Sequence, residues 1–179
     1  MGFIINVVAF NGRGFITGIA PAAITGSTSL CAPGYQYPTL YIALSDSVPG
    51  GSWSSSNPGV ATVNSSGIVT SVAPGNTTIS YTTGGGTATL NITVNDLPIR
   101  YDYLYTDMGN ELADIAISNS QIGVNYYFYT PIGTWTYAGT GGFLYGPTGT
   151  WNNAGDYGCY GVIVSTGCSE YMIGSYTVT

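Results

Sequence analysis

Residues 53–81 read WSSSNPGVATVNSSGIVTSVAPGNTTISY, and the fold is decided here. Val60 and Val63 lead into Asn64-Ser65-Ser66-Gly67, a cluster of turn formers, and Ile68 and Val69 follow it. Two short apolar runs around such a cluster predict a hairpin. Ala73-Pro74-Gly75 marks another reversal, after which Ile79 and Tyr81 alternate with polar neighbours up to Gly84-Gly85-Gly86. Alternation with a period of two belongs to a half-buried strand.

Working outward, Leu40, Ile42 and Leu44 alternate with Tyr41 and Ala43 ahead of a Pro49-Gly50-Gly51 turn. On the other side, Ala88, Leu90, Ile92 and Val94 share one face of a closing strand. About seven short strands at this spacing predict a sandwich, with Trp53 as its buried tryptophan. In that position Trp53→Ala is expected to cost roughly 3–5 kcal/mol. A break at Asp96-Leu97-Pro98 precedes a second unit in the same style. There Tyr101, Tyr103 and Tyr105 alternate with Asp102 and Leu104, and strands are expected near Ile115, Val124–Tyr129, Trp135, Leu144, Trp151, Tyr157–Val164 and Tyr171–Val178. The run 108–117 is the sole helix candidate and is read as strand. The expected architecture is all-β: an apolar N-terminal arm (1–23), then two tandem immunoglobulin-like β-sandwich domains (24–95 and 97–179).

Composition narrows the function. The chain has 179 residues, 44% of them hydrophobic, enough for packed cores. Its net charge is −6, with no Lys or His and with Arg13 and Arg100 as its only cations. Nucleic-acid binding needs a basic footprint and is excluded, as is a polybasic membrane patch. The run Phe3–Phe10 is too short to span a bilayer, so no membrane insertion is expected. Arg13 follows that run where a secretory signal would carry its charge ahead of it, so no signal is read, although Ala20, Ala22 and Ala23 mimic a cleavage site.

Without His there is no imidazole base, and without Lys no Schiff base. No catalytic residue, metal or cofactor is assigned. Carboxylates remain, and two of them can hydrolyse a glycoside. Asp102, Asp107, Glu111 and Asp114 lie close in sequence and read first as a solvated loop, next as a calcium site, and last as a catalytic pair of a glycosidase. Tyr101, Tyr103, Tyr105, Tyr126, Tyr127 and Tyr129 form two stripes that are candidates for surface binding to a host glycan or protein, set against a core role for half of each. The sequons at Asn64, Asn76 and Asn91 are read as turn and strand chemistry.

The stretch quoted first resembles the bacterial Ig-like group 2 domain. Trp53, Ser55, Ser56, Asn57, Pro58, Val60–Val63, Gly67, Val69, Thr70 and Ala73–Gly75 carry the resemblance in order. The second unit is more loosely similar to Ig-like surface repeats of the Bacteroidetes, through Ile117–Gln121, Gly123–Tyr126, Gly155–Tyr157 and Thr166–Cys168. Both resemblances imply β-sandwiches used as spacers, adhesive modules or decorations. Such repeats often pair an early with a late Cys. Here the partner position of Cys31 falls in Gly84–Gly86 and that of Cys168 near Asp107 and Met108, so the customary bridges are read as lost. No bridge is expected from Cys31 to Cys159 or Cys168, and Cys159 and Cys168 are expected out of register for a link. Tyr157-Gly158-Cys159 is read as a tyrosine corner, a Tyr two residues before a core Cys, against the plainer reading of Tyr157 and Cys159 as core-facing neighbours.

Two settings fit these implications: a bacteriophage virion, where the chain would decorate a capsid or tail, and a bacterial cell surface, where it would be an adhesin module. A start at Met, no export signal and lost bridges favour the virion. The apolar arm is expected to anchor the chain to neighbouring subunits through Phe3, Ile4, Ile5, Val7, Val8 and Phe10 by adding a strand to their sheet, against the alternative that it edges the first sandwich. Deleting residues 1–19 tests this. Anchoring predicts a folded, soluble chain that no longer assembles, whereas an edge strand predicts a destabilised first domain.

Overall fold

A computed structural model describes residues 18–35, 40–109, 112–130, 132–147, 149–150, 155–173 and 176–178. All its regular elements are strands. The chain divides into two compact units, Met1–Pro33 with Tyr37–Asp96 and Gly34–Gln36 with Leu97–Thr179.

In the first unit the strands are β1 (Ser29–Cys31), β2 (Tyr41–Ala43), β3 (Ser52–Ser55), β4 (Ala61–Val63), β5 (Ile68–Ser71), β6 (Gly75–Thr83) and β7 (Gly86–Asn95). One sheet runs β1-β7-β6-β3 and the other β2-β5-β4, so the chain changes sheets after β1, β2, β3 and β5, while β4–β5 and β6–β7 are hairpins within a sheet of this immunoglobulin-like sandwich. Strand β1 pairs in parallel with β7, Leu30 opposite Val94. Alternation along β6 and β7 sends Thr77, Ile79, Tyr81, Ile92 and Val94 inward, and Val69 and Ala61 of the other sheet are buried as well, as is Leu44 just past β2.

The family-like motif between β3 and β4 forms the corner where the chain passes from one sheet to the other. Ser55 Oγ donates to the Ala61 carbonyl at 2.7 Å and lies 3.0 Å from Thr77 Oγ1. Thr77 Oγ1 also accepts the Asn57 N–H at 3.0 Å and lies 3.3 Å from Ser56 Oγ. Each hydroxyl has one proton, and that of Ser55 is committed to Ala61; the Thr77 hydroxyl therefore donates to Ser55, and Ser56 donates to Thr77. Asn57 caps the turn that follows, its carbonyl accepting the N–H groups of Val60 and Ala61. Thr77 is only 4% exposed, so its hydroxyl is bonded entirely within the protein.

Trp53 is half-buried, which corrects the expectation of a core tryptophan. Its ring lies 4.6 Å from that of Tyr81 at 44°, at the margin of the core. Tyr81 is the buried partner, and its hydroxyl donates to the Val48 carbonyl and accepts the Gly51 N–H, both at 2.8 Å. The described end of the apolar arm lies on this unit. Thr83 Oγ1 donates to the Ile19 carbonyl at 2.6 Å, and the Ala22 N–H reaches Asp46 Oδ1 at 3.1 Å. Gly85 is required at the tip of the β6–β7 hairpin because a Cβ there would run into the backbone of Ile19 and Ala20. The proposed anchoring residues Phe3, Ile4, Ile5, Val7, Val8 and Phe10 lie outside the described residues.

The second unit contains β8 (Tyr103–Gly109), β9 (Leu112–Ile117), β10 (Val124–Thr130), β11 (Gly133–Ala138), β12 (Leu144–Tyr145), β13 (Gly149–Thr150), β14 (Gly155–Ile163), β15 (Ser169–Tyr171) and β16 (Tyr176–Val178). Its sheets are β11-β10-β14-β15, with β16 on β14, and β12-β9-β13, with β8 on β9. The helix candidate at 108–117 is thus a strand pair. Ile115, Ile117, Val124, Tyr126, Phe128, Leu144, Cys159 and Met172 make the core. A parallel bridge joins Asp102 to Ile173, so the first and last segments run side by side here as β1 and β7 do in the first unit.

Cys31 and Cys168 are disulfide-bonded, and Cys159 is a buried free thiol. This overturns the expectation that Cys31 forms no bridge, while the within-unit partner positions at Gly84–Gly86 and near Asp107 and Met108 hold no cysteine. That reading placed the cysteines in separate units by sequence position alone. Gly34 and Tyr35, just past Cys31, in fact belong with the second unit, where the Tyr35 N–H donates to Glu170, two residues beyond Cys168. The register argument for Cys159 holds: its carbonyl accepts the Met172 N–H, while that of Cys168 accepts the Ile163 N–H.

Thr77→Val retains the shape but removes the nearer of the two acceptors of the Asn57 N–H and leaves the Ser55 and Ser56 hydroxyls each short of a partner, and is expected to destabilise the first unit by about 2–3 kcal/mol, against about 1 for Thr77→Ser. Trp53→Ala, losing a half-buried ring, is expected to cost about 2 kcal/mol. Denaturant titration checks both. A Thr77→Val midpoint equal to wild type would show the hydroxyl cluster to be dispensable.

Candidate functional site

The acidic residues do not form a described cluster. Asp102 is exposed, and its backbone N–H donates to Ser118 Oγ at 3.2 Å. In the β8–β9 ladder Asp107 stands opposite Ala113 and Asp114 opposite Thr106. Glu111 lies outside the described residues, and among those described no group of three or more His, Cys, Asp or Glu could hold a metal ion. Glu170, which sequence reading passed over, is only 4% exposed. Its Oε2 accepts the Tyr35 N–H at 3.0 Å and its Oε1 the Tyr171 N–H at 2.9 Å. This carboxylate ties a crossing segment to β15; its inward place in an alternating strand was the available signal. The Cys159 thiol is not a ready nucleophile either, since burial pushes its pKa far above the ordinary thiol value.

The tyrosines divide by strand alternation. Tyr126 is fully buried beside Phe128, its hydroxyl accepting the Gln121 N–H at 2.9 Å, so it is corrected from surface candidate to core. Tyr101 and Tyr103 are half-buried and pack against the same core, which removes them from the binding set as well. Only the backbone of Tyr105 is described, and the same holds for Tyr157 of the expected tyrosine corner. Tyr127 and Tyr129 lie on the opposite, outer face of β10.

On that face they are joined by two tyrosines that the sequence reading did not select. Tyr127 stands opposite Tyr160 of β14, which in turn stands opposite Tyr171 of β15. The Tyr127 and Tyr160 rings are 4.9 Å apart and within 8° of parallel. Tyr160 and Tyr171 are 5.6 Å apart at 42°, and Tyr129 meets Tyr171 edge-on at 6.4 Å. Gly158, opposite Tyr129, leaves room for that ring to lie across the strand: a Cβ at Gly158 would strike its hydroxyl end. Thr134 and Thr136 stand exposed beside Tyr129 and Tyr127 on β11. At the other margin Arg100 Nε donates to the Tyr171 carbonyl at 3.0 Å, and its guanidinium sits 4.7 Å from the Tyr35 ring centre.

The first unit has an outer face of another kind. Thr93 donates to Asn76 at 2.8 Å, Thr78 to Asn91 at 2.9 Å, and Thr82 and Thr87 pair at 2.9 Å. Asn64 Oδ1 accepts the N–H groups of Ser66 and Ile68 inside its turn. The sequon asparagines are therefore parts of ladders and turns.

With this geometry in view, residues 41–94 match the family described as bacterial Ig-like domain (group 2). Among solved structures, the human OSCAR ligand-binding domain is 12% identical, with 88% of this chain and 97% of that one covered and a TM-score of 0.37. The S-layer protein rSbsC is 14% identical over 90% of this chain and 28% of its own length, with a TM-score of 0.38. The BSP domain of a biofilm-associated protein is 14% identical over 89% of this chain and 30% of its own, with a TM-score of 0.32. No curated protein sequence matches the chain.

Burial raises the phenol pKa of Tyr126, opposed in part by the Gln121 N–H. Burial, with Tyr127 and Tyr171 next to it, raises that of Tyr160. Above the unfolded phenol value of about 10 the unfolded chain sheds protons that the folded one keeps, so this stabilisation is present below that pH and is lost as pH rises past it. The melting temperature of the second unit is expected to fall between about pH 8 and about pH 11, and to fall less in Tyr126→Phe. An equal fall in both proteins would show that Tyr126 is not the titrating group.

Proposed function

We propose that the chain is a non-enzymatic display protein of an outer surface. Its immunoglobulin-like sandwiches carry binding faces, and its apolar arm joins it to neighbouring subunits. The observation that carries this reading is how the polar groups are used. The hydroxyls and carboxylates buried in the two units hold corners and crossing segments together, while the outward faces present neutral Ser, Thr, Asn and Tyr side chains. The match of 41–94 to the bacterial Ig-like domain supports the reading, as does a chain without His or Lys. The second unit serves as a surface repeat of the Bacteroidetes type.

The disulfide-bonded Cys31 and Cys168 suit an oxidising environment. They remove one ground for a virion protein assembled in the reducing cytoplasm and support the bacterial cell surface as the place of display. Decoration of a virion remains the other outcome of the same experiment. Antibodies to the chain, applied to intact producing cells and to particles purified after lysis, should label the cell exterior. Labelling of particles alone would move the protein to the virion. Signal confined to permeabilised cells would defeat the display reading.

A further inference from the structure

We propose that β11 of the second unit is an open sheet edge that receives the apolar arm of a second copy of this chain, with Phe3–Phe10 of one copy added as a strand beside Gly133–Ala138 of the next. The inference rests on the reading that the arm joins neighbouring subunits, and it names the surface that receives the arm. Strand β11 ends its sheet, and among the described residues it pairs with β10 alone. The ladder fixes which of its backbone groups face away from β10. The Gly139 N–H donates to the Val124 carbonyl at 2.8 Å, so by alternation Tyr137, Trp135 and Gly133 also bond towards β10. The N–H and C=O groups of Thr134, Thr136 and Ala138 therefore point out of the sheet edge, where an added strand would meet them.

Sheet edges are ordinarily guarded by brevity, charge, proline or a bulge. Of the other described edge strands, β1, β2, β4, β15 and β16 have three residues each, β3 has four, and β12 and β13 have two. Strand β8 is longer, but it carries Asp107 and a bulge between Asp107 and Gly109. Strand β11 has six residues, no charge, no proline and an unbroken register. Its inner side is also incompletely covered: Trp135 and Tyr137 pack against the core yet are only half-buried, and Ile132, in the turn before them, is 60% exposed.

The arm suits this edge. At strand alternation Phe3, Ile5, Val7 and Ala9 make one apolar face, which would extend the core past Trp135 and Tyr137, while Asn6 falls on the side of the exposed Thr134 and Thr136. Neither strand carries a charge, so pairing them buries none. In the first unit the edges β1 and β3 are too short to pair with the whole run Phe3–Phe10. The described chain meets that unit at the tip of the β6–β7 hairpin, where Thr83 Oγ1 donates to the Ile19 carbonyl. Residues 11–17, extended at about 3.3 Å each, allow a tether of roughly 23 Å between that tip and the added strand. Each copy brings one arm and one edge, so the contact is head-to-tail and repeats from copy to copy.

The test is the mass of the full chain by light scattering after size exclusion, which should grow with concentration. Thr136→Pro removes an outward N–H, leaves the hydrogen bonds to β10 in place, and should hold the chain as a monomer. Ile5→Asp with Val7→Asp spoils the arm, keeps the edge, and should do the same. Mixed in equal amounts, the two monomers should form a one-to-one dimer, since one brings an intact arm and the other an intact edge. Should Thr136→Pro lower the melting temperature, hydrogen exchange of the unaltered edge takes its place. The Thr134, Thr136 and Ala138 amides should then exchange about tenfold or more slowly in the assembled full chain than in the Ile5→Asp/Val7→Asp chain. The inference is overturned if the full chain stays monomeric, if the mixed variants do not associate, or if those amides exchange alike in both proteins. Assembly lost in the arm variant but kept in a stably folded Thr136→Pro chain would overturn the β11 assignment and leave the arm reading standing. Assembly kept in the arm variant would defeat the arm reading itself.

Discussion

The hydroxyl of Thr77 is the point on which the first sandwich closes. It lies in one sheet, accepts the N–H of Asn57 at the corner, and donates to Ser55, whose own proton reaches the Ala61 carbonyl in the other sheet. Two facing sheets attract each other through apolar burial, but that attraction has no direction and does not set how the chain crosses between them. The hydrogen bonds at the corner do, because the donors of Ser55, Ser56, Asn57 and Thr77 find their acceptors within the corner itself. Through Ser55, Ser56 and Asn57 the motif Trp-Ser-Ser-Ser-Asn-Pro is thereby a folding device.

The second unit settles the corresponding problem with aromatic mass. Tyr126 and Phe128 fill its core from one face of β10, and Cys159 and Gly161 stand opposite them on β14. The same strand presents Tyr127 and Tyr129 on its other face. One strand thus supplies both the packing that holds the sheets together and an outer tyrosine face, so a single register sets both. A slip of one residue would exchange the two sets.

Much of this was legible in advance. Alternation around Ile42, Ile79, Ile92 and Val124 marked strands, and the turn clusters at Asn64–Gly67 and Gly84–Gly86 marked the hairpins between them. The candidate site was legible only in part. Tyr127 and Tyr129 were selected, but Tyr126 was selected with them, because a run of four consecutive aromatic residues, Tyr126 to Tyr129, does not reveal which parity faces the partner sheet. Tyr160 and Tyr171 were missed because they are distant in sequence and become neighbours only through strand pairing.

Sequence alone determined that the protein is all-β, that it lacks imidazole and amine chemistry, and that a family-like motif organises residues 53–81, since composition and local periodicity need no knowledge of what lies across the core. Tertiary structure decided that Trp53 sits at the core margin, that Cys31 and Cys168 are disulfide-bonded, that Glu170 is buried as a clamp on the Tyr35 segment, and that four tyrosines from three strands share one face. Each of these depends on a partner distant in the chain, and register, which sets such partners, is fixed by the packing of whole sheets.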